Sequence, residues 1–107
     1  MEDFNVAGQA REDVVRRILL EMADLALSVT DGRGVSRTLT KLAADLDRAG
    51  DDRAERTSVL RIILAMYQQG MGGFQDFTLQ DQNGVQPEQV AFQHLRDRLF
   101  AQTLHEL

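Results

Sequence analysis

The amino-acid sequence predicts an all-α protein, a compact bundle of about four helices with a Gly-rich loop before the last one. Three observations lead there. Apolar residues recur at three- and four-residue steps in four separate stretches. β-Branched residues do not group into alternating runs, and aromatics make up only 6% of the chain, which argues against a sheet. Proline occurs once and glycine 8 times, so little in the composition opposes long helices. The 107 residues suit a single helical domain, 1–107, and 43% hydrophobic residues suffice for one packed core.

The first helix is expected from Asp3 or Gln9 to Val29. Val15, Ile18, Met22, Leu25, Ala26 and Val29 form its apolar face, with Glu12–Arg16 and Asp13–Arg17 as exposed pairs four residues apart. Two glycines in Thr30-Asp31-Gly32-Arg33-Gly34 then break the pattern. The second helix is expected over Ser36–Ala49, capped by Ser36 and stopped by Gly50, with Leu39, Leu42, Ala43 and Leu46 inward. Asp52 and Glu55 make a capping-box-like pair for the third helix, which runs to Gln69. Its stretch SVLRIILAMY is apolar over most of its circumference, which predicts the central element of the bundle.

Gly70, Gly72 and Gly73 permit unusual backbone angles, and Phe74, Phe77 and Leu79 are expected to fold this loop back on the bundle. Asp76 can accept hydrogen bonds from the backbone of a tight turn. Asn83-Gly84 marks a turn, with a short hairpin as one option. Pro87 suits the first turn of a last helix carrying Phe92, Leu95, Leu99, Phe100 and Leu104.

Chemistry is thinly provided. There is no cysteine, which excludes a disulfide, a thiolate metal site and a cysteine nucleophile, and fits a cytoplasmic protein. The acidic start MEDFNVAGQAREDVV has no signal-peptide pattern. No segment approaches the roughly 20 apolar residues a membrane span needs. His94 and Asp97 lie one turn apart, but a zinc site takes three or four ligands and no Glu-x-x-His is present. His105 complements the end of a helix dipole. Glu21 and Asp24 share a helix face, and their neighbours place them toward solvent. Ser28, Ser36 and Ser58 have no nucleophile-elbow setting, and the glycines lack a phosphate-loop ending. These absences predict no enzyme, no cofactor and no metal.

The net charge of −5 disfavours nucleic acid, since phosphate binding needs clustered Lys and Arg. Ser36, Arg37, Thr38 and Lys41 have a faint recognition-helix look, but Asp45 and Asp47 follow on the same helix. The segment reads as an ordinary amphipathic helix.

From Val59 to Leu107 the chain resembles a family of short bacterial helical proteins. Their pattern is an apolar helix, a Gly-Met-Gly-Ser-Phe/Leu-Asn-Asp-Leu type loop and a closing helix. Gly72 and Asp76 match that loop, whereas Gly73 replaces the usual Ser and Gln75 the usual Asn. The resemblance covers the C-terminal half and implies an immunity protein, or antitoxin, with no enzymatic residues. The expected function is therefore an acidic protein-binding protein that neutralises a basic toxin or enzyme by occlusion, with no nucleic acid or membrane partner. Glu12, Asp13, Glu21 and Asp24 on the first helix and Asp31 in the following loop are the expected contacts. The rival reading is a self-associating helical module, a homo-oligomer without a toxin partner. A small enzyme using Glu21, Asp24 or His94 is the remotest.

Overall fold

The computed structural model describes residues 13–29, 32–68, 80–81, 84–85 and 87–107. Within them lie four helices: α1 (Val14–Ala26), α2 (Arg33–Ala49), α3 (Arg53–Gln68) and α4 (Gln89–Glu106). Between α3 and α4, Gln80–Asp81 and Gly84–Val85 form a minimal antiparallel ladder, pairing Gln80 with Val85 and Asp81 with Gly84. Gly84 turns the chain there at φ 104°, a value open chiefly to glycine. The fold is an all-α four-helix bundle, as the periodicity predicts.

Each helix packs chiefly on two others. α1 packs on α2 and α4, α2 on α3, and α3 on α4, which closes a ring. Ion pairs fix the directions. Arg16 near the start of α1 lies 3.8 Å from Asp47 near the end of α2. Arg56, in the first turn of α3, reaches both Asp13 before α1 and Glu106 at the end of α4. One end of the bundle thus gathers the starts of α1 and α3 with the finishes of α2 and α4, an up-down-up-down order.

The central helix is α1 rather than α3. Val15, Ile18, Leu19, Met22 and Ala26 of α1 are sealed from solvent at 1% exposure or less, and α1 packs more extensively on its neighbours than α3 does. In α3 Val59, Leu60, Ile63 and Tyr67 are buried, Met66 packs half-buried against the core, and Ile62 is 52% exposed. Apolar residues around a whole circumference show what a helix could bury. How much it buries depends on how closely its neighbours pack on it, and α3 packs less extensively on its two than α1 does.

Two caps differ from expectation and two agree. α1 begins at Val14 instead of Asp3 or Gln9, because Asp13 is extended and accepts the Arg16 amide as an N-cap at 3.1 Å. The helix ends at Ala26, and Leu27, Ser28 and Val29 continue as i→i−3 turns. α2 starts at Arg33, three residues before Ser36, which is buried inside the helix. At the other end Gly50 caps α2 at φ 52°, and Asp52 caps α3 by accepting the Glu55 amide at 3.2 Å.

α4 buries Phe92, Leu95, Arg96, Leu99 and Thr103. Phe100 and Leu104, counted in the sequence among the apolar residues of this helix, lie on an exposed flank. Arg96 takes an inner place by laying its guanidinium 5.7 Å from the centre of the Phe92 ring. Pro87 precedes the helix by two residues, outside its first turn.

Candidate functional site

The outward face of α1 collects Glu21 and Asp24, two of the acids that the sequence singles out. α1 turns its Val15–Ile18–Met22 side into the bundle, which leaves Arg17, Leu20, Glu21, Asp24, Leu27 and Ser28 in solvent. Leu20, Asp24 and Leu27 follow one another at four- and three-residue steps, so they line a single stripe with Glu21 beside it. Leu20 is 37% and Leu27 58% exposed. Glu21 lies 3.6 Å from Arg17, one turn back on the same helix. The patch therefore combines two open leucines with two carboxylates, the mixture of apolar anchor and charged rim typical of a protein interface.

Asp13 does not belong to this patch. Both of its oxygens face inward: Oδ2 accepts from Arg56 at 2.8 Å, and Oδ1 accepts from Arg56 at 3.0 Å and from the Arg16 amide at 3.1 Å. The same guanidinium donates to Glu106 Oε1 at 2.5 and 3.2 Å, and Glu106 Oε2 accepts from Gln102 at 3.1 Å. Partial burial resists ionisation of Asp13, yet the Arg56 hydrogen bonds, the Arg16 amide and the two positive charges outweigh it and hold its pKa below the ordinary 3.8. The Asp13 hydrogen bond leads in raising the Arg56 pKa, against partial desolvation and with Glu106 adding to it. Asp13 is thus a structural carboxylate that locks α1 to α3.

Of the other expected contacts, Glu12 and Asp31 lie outside the described residues, as do Gly70, Gly72, Gly73, Phe74, Asp76 and Phe77 of the expected structural loop. Leu20 and Leu27 are the surface residues that sequence reasoning overlooked. They could have been found, because neither fits the Val15–Val29 core stripe and an apolar residue off the stripe must face elsewhere.

The catalytic alternatives gain no geometry. His94, Asp97 and His105 are exposed along α4, and Ser28 and Ser58 are exposed on α1's trailing turn and α3. Among the described residues, no group of three or more histidine or carboxylate side chains could hold a metal ion. Two buried oxygens lack a partner there, Glu88 Oε1 and Thr103 Oγ1. They sit fifteen residues apart at opposite ends of α4, about 22 Å along the axis, too far to act on one ligand. No described helix is long and apolar enough to cross a membrane. Comparison with protein-family models, curated proteins and solved structures finds no match to this chain.

Proposed function

We propose that this chain acts by binding another protein, a basic one, and that it serves as a cytoplasmic immunity protein occluding a bacterial toxin. The observation that carries the reading is the α1 patch, where Leu20 and Leu27 stand open beside Glu21 and Asp24. Exposed leucines on an otherwise well-packed helix supply the apolar contact that a stable complex needs, and the carboxylates steer a basic partner and align it. The likeness of Gly70–Leu79 to the loop of short bacterial immunity-like proteins supports the toxin-neutralising form of the proposal.

Affinity capture from cells that encode the chain tests it, using the parent and a Leu27→Asp/Asp24→Lys variant side by side. The expected result is one stoichiometric basic protein bound by the parent and lost from the variant, with parent but not variant relieving that protein's toxicity on co-expression. Equal capture by both would remove α1 from the interface.

Self-association is the second reading, favoured by Phe100, Leu104 and Leu107 along the open flank of α4. Light scattering over a concentration series separates the two, since a strict monomer excludes the homo-oligomer.

A further inference from the structure

Helix α2 divides sharply into two sides. Leu39, Leu42, Ala43, Leu46 and Ala49 face the core. The opposite side carries all four of its basic residues, and Arg33, Arg37, Lys41 and Arg48 are all exposed. At about 100° per residue these four fall within roughly 80° of one another and extend about 22 Å along the helix. They form a basic ridge on an acidic molecule. α2 holds four basic and two acidic residues, a balance of +2, whereas the rest of the chain holds eight basic and fifteen acidic, a balance of −7.

The ridge works against its own helix. Arg33, Arg37 and Lys41 follow at four-residue steps, where like charges repel. Arg33 also stands in the first turn, at the positive end of the helix dipole, and no acid occupies that turn. Asp45 pairs with Lys41 and Arg48, which relieves the second half of the ridge. Among the described residues no carboxylate pairs with Arg33 or Arg37. Local rules broken without internal compensation mark surfaces kept for a partner.

The chemistry of the face narrows that partner. Thr38, Thr40 and Ala44 lie among or beside the basic residues and no aromatic does, so single-stranded nucleic acid finds no stacking platform. The apolar side of α2 is spent on the core, so the helix cannot settle into a bilayer surface. Asp45 and Asp47 beside the ridge, with the −7 behind it, oppose a continuous line of phosphates. A short set of carboxylates avoids the first two objections and lessens the third, since a few acids can engage Arg33, Arg37 and Lys41 without running on past Asp45 and Asp47. Arginine forks grip carboxylates two-pronged, and acids four apart on another helix repeat every 6 Å or so, the same interval as the ridge.

We propose that the outward face of α2 docks an acidic helical face of a second protein through Arg33, Arg37 and Lys41. This surface is distinct from the α1 patch and does not depend on the toxin reading.

The test titrates isotope-labelled full-length chain with two alanine-based helical peptides of equal composition. One has four glutamates at four-residue steps, and the other has them scattered around the helix. A mixed-sequence oligonucleotide, single-stranded and duplex, serves as the competing polyanion. The aligned peptide is expected to shift amides of α2's outward residues and to bind about tenfold tighter than the scattered one, weakening as salt rises. Arg33→Glu/Arg37→Glu is expected to lose that binding about tenfold while melting at the parent's temperature or above, because glutamate suits a helix start. Equal binding of the two peptides, stronger binding of the oligonucleotide to the same face, shifts centred on another helix, or a lower melting temperature in the variant would each overturn the proposal.

Discussion

Tyr67 is the chain's single tyrosine, and it shows how much one buried polar group can report. Its hydroxyl donates to the carbonyl of Arg96 at 2.5 Å, and its ring meets Phe100 at 5.0 Å between centres, tilted by 55°. Burial pushes its ionisation well above the ordinary 10; the Arg96 charge pulls back and the Asp97 charge pushes further. A raised pKa in the folded state stabilises the fold fully below pH 10, and that contribution drains away as pH rises beyond it. Phenolate absorbance at high pH should therefore appear together with loss of helical signal, above pH 10. Tyr67→Phe should cost about 1 kcal/mol at neutral pH and lose part of the alkaline sensitivity. A free titration near pH 10 in the folded protein would contradict the buried geometry. Tyr67 could be read from the sequence as core, being the last apolar position of a strongly apolar helix. Arg56 could not, since its partners lie 43 and 50 residues away and no local pattern announces them.

At the scale of elements, four helices and the inner face of α1 follow from periodicity alone, because spacing is a local property that survives without knowledge of the fold. Boundaries depend on close approach, and Gly32 is the example. A Cβ at Gly32 would sit 1.8 Å from the carbonyl oxygen of Ala26, so the turn folds too tightly for any side chain and α2 can start at once behind it. Cap preference points to Ser36 only because that preference ignores the previous helix. Gly32→Ala should destabilise the bundle by about 2–3 kcal/mol in denaturant unfolding, a backbone clash rather than a lost contact. Gly34→Ala, two residues later in the first turn of α2 with nothing within 4 Å of the added carbon, should be neutral or stabilising by up to about 1 kcal/mol. Similar losses from both would move the constraint out of the turn. In α4 the apolar count misled for a related reason. Phe100 and Leu104 had to compete with Arg96 and Thr103 for the inner face, and the neighbouring helices decide that contest.

For the whole molecule, the deciding feature is the end of the bundle where Arg56 holds Asp13 and Glu106 together. All three side chains are about one quarter exposed, 24%, 23% and 22%, so water screens them only in part. Arg56→Met should cost about 1–3 kcal/mol at pH 7, since it leaves two half-buried carboxylates without a cation. The Asp13 pKa is depressed, so its stabilisation is complete above the ordinary 3.8 and is lost as pH falls through the folded value. Parent and variant melting curves should thus converge below about pH 4. A constant gap down to pH 2 would show that Arg56 acts through packing alone. The candidate site divides along the same lines. Glu21 and Asp24 were legible as surface acids from helix phase, but Asp13 was claimed by a cation from another helix, which only the closed ring brings near.

The Arg56 clamp also orders events in time. Helices form from neighbours in sequence, but this guanidinium must wait until stretches of 43 and 50 residues have closed around it. A contact made that late acts as a latch on the finished bundle. Arg56→Met is therefore expected to speed unfolding more than it slows folding, read from the two arms of a denaturant chevron.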